Sequence, residues 1–259
     1  MIYVCVPWVK VDPLKKFLPD FIKWYGQNAL AHDLRLNMEI YRPLYEVQGE
    51  TVEKARKAGA SHVLFVEDDH WAFPVDGLEV LLEADKDAIG FQTFRKVWPY
   101  ASLAMRRENP NINLIGSHQE LLDNGLRLLP HDRGSGEEIQ ETSILTWAFT
   151  LVKMEVFDRM QAAGLNPFKQ QGPVPTDSYF AQYASDLSIP LHIHFGWAIA
   201  HGQHDPRDLD LVREIETSIR QAKRNRIALA SQPDAGLMER SAADKMEAFH
   251  QRNGTGVAA

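Results

Sequence analysis

Short apolar runs that alternate with stretches of helix-forming composition constrain this chain more than any other feature. Ile2-Tyr3-Val4-Cys5-Val6 reads as a buried strand. Asp12 then offers an N-cap with Pro13 at the first helical position, and Leu14, Phe17, Leu18, Phe21, Ile22 and Tyr25 follow at helical spacing. Pro19 is expected to kink or divide that helix. Leu34, Leu36, Met38 and Ile40 alternate with Arg35, Asn37, Glu39 and Tyr41, the period of a strand with one side buried. Residues 51–58 form a helix closed by Gly59, and residues 62–66 a third apolar strand. Pro74 and Asp76 open a helix carrying Leu78, Leu81 and Leu82, before residues 88–94 return as a strand. Such a βαβαβαβ order specifies a parallel α/β sheet with helices on its faces.

After Arg95 the pieces shorten and the sheet pattern becomes mixed. A polar, Gly-rich stretch at 131–136 reads as a surface loop, and residues 144–152 as a strand. Residues 155–163 make a short helix closed by Gly164, residues 176–187 a helix beginning at Thr176 or Asp177, and residues 191–195 a last strand. From Asp208 onward the composition is charged and helical, with Leu209, Leu211, Val212 and Ile215 as apolar positions. This tail is expected to pack on the domain or on a second copy of the chain.

Composition removes several classes of function. With 259 residues, 44% of them hydrophobic, the chain encloses a substantial core, so a disordered or fibrous protein is excluded. A net charge of −7 gives no basic field for a phosphate backbone, so no nucleic-acid partner is expected. The lone cysteine, Cys5, lies in the first strand and reads as a small buried hydrophobe, with no intrachain disulfide to form. No export signal precedes that strand and no apolar run reaches the roughly 20 residues of a membrane span. The expectation is a cytoplasmic protein without a transmembrane segment.

The third strand ends in Glu67-Asp68-Asp69. In open α/β sheets ligands bind beyond the carboxyl ends of strands, which is where these acids fall. Adjacent carboxylates repel, and a divalent cation removes the cost by supplying positive charge. Hard oxygen ligands suit magnesium or manganese, either of which can bridge to a diphosphate. The competing reading is an exposed acidic turn that caps the next helix.

The segment Ala58-Gly59-Ala60-Ser61-His62-Val63-Leu64-Phe65-Val66-Glu67-Asp68-Asp69-His70 resembles that of GT-A glycosyltransferases close to family two, where an apolar strand ends in an Asp-x-Asp motif. Phe73-Pro74-Val75-Asp76-Gly77-Leu78 and Asp87-Ala88-Ile89-Gly90-Phe91 are similar to the family's following helix start and strand. Glu67 departs from the motif's first aspartate. The resemblance implies a GT-A-like, Rossmann-like mixed sheet and a nucleotide-diphosphate sugar as donor. It makes Asp69 a metal ligand, gives Glu67 to the metal or the ribose, and adds Asp68 to the donor site. Pro7 and Trp8 match where the base is held, with Trp8 either stacking on it or packing. Arg95 and Lys96 would face phosphate or sugar, or else solvent.

Pro175-Thr176-Asp177-Ser178-Tyr179-Phe180 puts an acid at a helix start, where it either steadies the helix dipole or, as the resemblance implies, serves as general base on the acceptor hydroxyl. That assignment implies transfer with inversion. His201, in a His-Gly pair after the last strand, matches the family histidine that returns to the metal, with His204 as a second candidate. His192 and His194 share one face of the strand and, with His201 nearby, frame a rival, a zinc-dependent hydrolase. Another rival is a catalytically inactive nucleotide- or glycan-binding protein of the same fold. A nucleotidyltransferase would carry a Gly-rich basic loop after the first strand, and Val9-Lys10-Val11-Asp12 is not one. Trp147 either stacks on a sugar or lies in the core. The organisation expected is a glycosyltransferase domain over 1–205, with a nucleotide-binding half at about 1–95 and an acceptor half at about 96–205, then a helical extension over 206–259. The acceptor is left open among glycan, lipid, protein and small molecule, and the C-terminal helices offer a surface for a homo-oligomer.

Overall fold

The computed structural model describes residues 1–8, 16–94, 103–129, 138–169 and 174–202. The Asp12-Pro13 start, Arg95, Lys96, the 131–136 stretch, His204 and the extension from 206 lie outside the described residues. In chain order the elements are β1 (Ile2–Trp8), α1 (Phe17–Asn28), β2 (Leu34–Ile40), α2 (Leu44–Lys57), β3 (His62–Val66), β4 (His70–Trp71), α3 (Gly77–Glu83) and β5 (Ala88–Thr93). They continue as β6 (Met105–Arg107), α4 (His118–Asp123), β7 (Leu126–Leu128), β8 (Ile139–Thr142), β9 (Phe149–Lys153), α5 (Met154–Ala162), α6 (Thr176–Asp186) and β10 (Leu191–His201).

The architecture is α/β, a Rossmann-like mixed sheet flanked by helices. Its strand order is β2-β1-β3-β9-β5-β10, with β8 and β4 both paired to β10. β1 runs parallel to β2 and β3, β5 runs parallel to β10, and β9 lies antiparallel between β3 and β5. The five strands β2, β1, β3, β5 and β10 therefore point one way and present their carboxyl ends at one edge. β6 and β7 form a separate antiparallel pair.

Side-chain alternation along the strands feeds two cores, one on each face. Cys5, Val63 and Phe65 face α2, α5 and α6, meeting Val47, Val52, Phe157 and Phe180. Val4, Val6, Leu64 and Val66 face the opposite way, towards Phe17, Phe21, Trp24, Leu78 and Leu81 of α1 and α3. Cys5 is fully buried and burial pushes its thiol up to about 12, so it is inert packing, as its apolar setting suggests. Gly59 and Gly164 take φ of 69° and 72° just after α2 and α5, the left-handed geometry that favours glycine there.

Three details differ from the sequence pattern. Pro19 neither kinks nor divides α1, because it occupies the first turn, where its missing N–H has no helical partner to lose. β2 does not bury one side evenly: Leu36 and Ile40 are exposed, while Asn37 is buried and donates to Thr51 Oγ1 at 2.7 Å. As an edge strand, β2 is covered at Leu34 by α1 and at Asn37 by α2. The strand anticipated over 144–152 is confined to β9, and β10 extends beyond 195 through an irregularity between His194 and Ala198 to reach His201.

Gly90 sits opposite Thr150 where β5 and β9 pair. A β-carbon there would overlap Thr150 Oγ1 and come within 3.3 Å of the Phe149 carbonyl oxygen. Gly90→Ala is expected to cost about 1–3 kcal/mol in urea unfolding, and adding Thr150→Ala to recover part of it by removing the overlapping hydroxyl.

Candidate active site

The acidic motif begins where β3 ends, at the carboxyl edge of the sheet. The segment after it is fixed by side chains from α1. Asp20 accepts from the Phe73 amide at 2.8 Å, Asn28 Nδ2 donates to the Val75 carbonyl at 3.0 Å, and the Phe73 ring meets Phe17 edge-on. The short strand β4 then pairs antiparallel with the end of β10, setting His70 opposite His201 and Trp71 opposite Ala200. The Gly202 amide donates to the Asp69 carbonyl at 2.7 Å and Trp71 Nε1 to the Gly202 carbonyl at 3.2 Å, so the acidic motif and the end of β10 are tied along their backbones.

This crossing gathers Asp69, His70 and His201, each offering a ligand atom within 4.8 Å of the others. Asp69 Oδ1 is 2.9 Å from His70 Nδ1, and Asp69 Oδ2 is 3.6 Å from His201 Nε2. The two imidazoles stack, with centroids 4.1 Å apart and planes 14° from parallel. His201 Nδ1 is 2.7 Å from the Phe94 carbonyl, which only accepts, so the proton belongs on Nδ1. In the neutral ring the Nε2 lone pair then faces Asp69 Oδ2, and two acceptors across such a gap need a proton or a cation between them. Glu67 Oε2 and Asp69 Oδ1 lie 3.6 and 2.9 Å from His70 Nδ1. Burial opposes charge on Asp69, but its contacts with His201 and His70 outweigh burial and hold the carboxyl well below the usual carboxylate range.

These residues fit a divalent ion. A half-buried carboxylate and two imidazoles, His201 oriented by the Phe94 carbonyl, form a ligand set richer in nitrogen than magnesium prefers. His70 carries no family assignment; its signal in the sequence is only its adjacency to Asp69. Glu67 is not among the three converging residues and stands beside His70, while Asp68 is buried at the same turn.

Pro7 and Trp8 finish β1 at the same edge. Pro7 is buried, and Trp8 is half-buried and edge-on to Phe17 at 6.3 Å. Because β9 runs antiparallel, the residues before it also lie at this edge. Trp147 is one of them, but it is 1% exposed, buried against Phe65, Phe168 and Phe180, so it is a core residue and not an open platform. Its Nε1 donates to Thr176 Oγ1 at 2.9 Å and brings the start of α6, with Asp177, to the same edge as the acidic motif. The Asp177 residue is half-buried while its Oδ1 is enclosed without a hydrogen-bond partner among the described residues. Burial pushes this carboxyl up to about 6, against the opposing backbone amides of Ser178 and Asp177.

The histidines of the zinc-hydrolase reading do not meet. His192 and His194 pair with Ile89 and Phe91 in the first half of β10, whereas His201 lies beyond the irregularity after His194 and pairs with His70 of β4. His194 Nδ1 accepts from the Gly196 amide at 3.0 Å, and His201 joins Asp69 and His70 instead. A cavity of about 730 Å³ opens at the other end of α6, among Arg106, Arg107, Glu141 and Ser185. It is remote from the acidic motif, and Arg107 there is occupied by the Ile112 carbonyl and Ser185.

The chain matches no protein-family model and no curated protein. Among solved structures it is similar to the mannosyltransferase PcManGT from Pyrobaculum calidifontis in complex with GDP-Man and Mn2+, at 13% identity and a TM-score of 0.38 over 100% of this chain and 76% of that one. It is also similar to GalNAc-T7 with UDP, GalNAc and Mn2+, at 10% identity and a TM-score of 0.43 over 99% of this chain and 57% of that one. CMP:2-keto-3-deoxy-manno-octonic acid synthetase complexed with CTP is similar at 10% identity and a TM-score of 0.39, over 83% and 97% of the two chains. Among the described residues no helix is long and apolar enough to cross a membrane.

The carboxyl of Asp177 gives a pH signature of its own. A folded value near 6 against an ordinary 3.8 penalises the folded state only when the group ionises. The penalty is absent below 3.8, grows as pH rises, and is complete above about 6. Asp177→Asn is therefore expected to raise the melting temperature above pH 6 and leave it unchanged below 3.8, read by thermal melts across pH.

Proposed function

We propose that this protein is a metal-dependent glycosyltransferase, moving a sugar from a nucleoside-diphosphate donor to an acceptor hydroxyl. The observation that carries the reading is the convergence of Asp69, His70 and His201 at the sheet edge that also holds the start of α6. In this assignment those residues hold a manganese ion, which when bound supplies positive charge against the diphosphate. Asp69, kept ionised by its histidines, is ready to ligate across the working pH range. Trp8 and Pro7, at the end of β1, bound the space for the nucleotide base. Glu67 orients His70, and Asp68 completes the turn.

Asp177 acts as general base. A carboxyl whose pKa is lifted towards neutrality is a stronger base than an ordinary aspartate and is still ionised at neutral pH. It takes the acceptor hydroxyl's proton as that oxygen bonds to the anomeric carbon and the bond to the diphosphate breaks, so the configuration inverts. The resemblance to GT-A enzymes of family two supports this division of roles.

Calorimetry with a panel of nucleoside diphosphates tests the reading. One nucleotide is expected to bind with manganese and far less well with magnesium, and Asp69→Ala or His201→Ala should weaken this by more than the about 10–100-fold contributed by outer partners of a metal. Absence of metal-dependent nucleotide binding would overturn it. Nucleotide binding without transfer of the donor sugar would identify an inactive binding protein instead.

A further inference from the structure

The cavity of about 730 Å³ at the far end of α6 plays no part in the proposed reaction, and it has the size that encloses a small-molecule ligand. Asp177 and Ser185 stand at opposite ends of α6, about 12 Å apart along its axis. Arg106 and Arg107 of β6, Glu141 of β8, Ser143 just after β8 and Ser185 of α6 all line the cavity. They are tied to one another. Ser143 Oγ accepts from the Arg107 amide at 2.9 Å, and the Arg107 guanidinium donates to Ser185 Oγ and, at 3.1 Å, to the Ile112 carbonyl. Arg106 donates to the Glu141 carbonyl at 2.9 Å.

Every acceptor in that set is neutral. Arg35, Arg42, Arg56 and Arg127 each lie within 3.8 Å of a carboxylate, whereas Arg106 and Arg107 form no ion pair among the described residues. Arg107 is half-buried, and two of the five N–H groups of its guanidinium are engaged there, which leaves three to donate. Ser143 and Ser185 each receive a donor from Arg107, and neither gives its hydroxyl proton to an acceptor among the described residues. The lining therefore offers spare donors and two positive charges against the single carboxylate of Glu141, in a chain whose net charge is −7.

We propose that this cavity is a second ligand site, for a small molecule bearing a phosphate or carboxylate group. Arg106 and Arg107 grip the oxyanion, and Ser143 and Ser185 donate their hydroxyl protons to it. Guanidinium groups match the oxygens of such an anion, and charge-assisted bonds are the strong ones. A neutral ligand would leave both arginine charges unmet. The site needs neither the metal ion nor the donor of the proposed transferase, so the two readings fail separately.

Calorimetric titration of the full chain at low ionic strength, with inorganic phosphate, glucose 6-phosphate and succinate as probes, tests it. At least one probe is expected to bind without manganese, and the preferred probe tells which anionic group the site takes. Arg106→Gln should weaken that binding by about tenfold or more, the loss of a charge-assisted hydrogen bond. Arg107→Lys, which keeps the charge and loses the fork, should weaken it too; if that variant fails to fold, the exposed Arg106 carries the test. Glu141→Gln should tighten binding by removing the opposing charge, a gain that damage to the fold does not produce. Asp69→Ala should leave it intact. Binding that needs manganese, or that Asp69→Ala abolishes, belongs to the metal centre and overturns the proposal. No binding by any of the three probes, or binding unchanged in Arg106→Gln, overturns it as well and leaves the arginines as braces between β6, β8 and α6.

Discussion

The antiparallel run of β9 between β3 and β5 is the constraint from which the placement of both halves of the candidate site follows. In a sheet whose other long strands point one way, a reversed strand begins at their carboxyl edge. Trp147, just before β9, therefore sits beside the end of β3, and its indole N–H fixes the start of α6 through Thr176. A parallel β9 would have put Trp147 at the opposite edge, far from the acidic motif. The anchor is strong, because Trp147 is enclosed by Phe65, Phe168 and Phe180, and losing such a ring costs about 3–5 kcal/mol. Core packing and placement of Asp177 are thus the same interaction.

The two acids of the site are treated in opposite ways by their surroundings. Both are withdrawn from water, which alone would raise both pKa values. Asp69 is compensated by two imidazoles and stays ionised. Asp177 has only the amides at the start of α6, which fall short of the cost of burial. In the proposed reaction this difference would separate an electrostatic role for Asp69 from a proton-transfer role for Asp177. Here the difference follows from the partners that β4 and β10 bring to Asp69 and do not bring to Asp177.

Much of this was legible in the sequence, and the rest fails for identifiable reasons. The apolar run of β3, the cap at Gly59 and the helix at Thr176 are local signals, and each element lies where its pattern puts it. Asp69 and Asp177 are likewise readable as a strand end and a helix start, whereas His201 lay beyond the strand expected over 191–195 and was reached only through the resemblance. His70 was not readable, because its significance comes from pairing with His201, a contact between distant parts of the chain that no periodicity encodes. The same holds for β4, too short to show a pattern. The exposure of Leu36 and Ile40 shows the converse: alternation marks a strand correctly but does not supply the neighbour that would cover it.

Glu67 in place of aspartate has a geometric consequence. Its longer side chain ends 3.6 Å from His70 Nδ1, beside a histidine already 2.9 Å from Asp69. Placed there, the Glu67 carboxylate adds negative charge beside His70 without joining the three converging residues. Where the motif that this segment resembles has an aspartate, this chain sets a carboxylate outside the converging group and has an imidazole within it. Under the proposed function, that nitrogen-richer set is less suited to magnesium, which prefers oxygen ligands throughout.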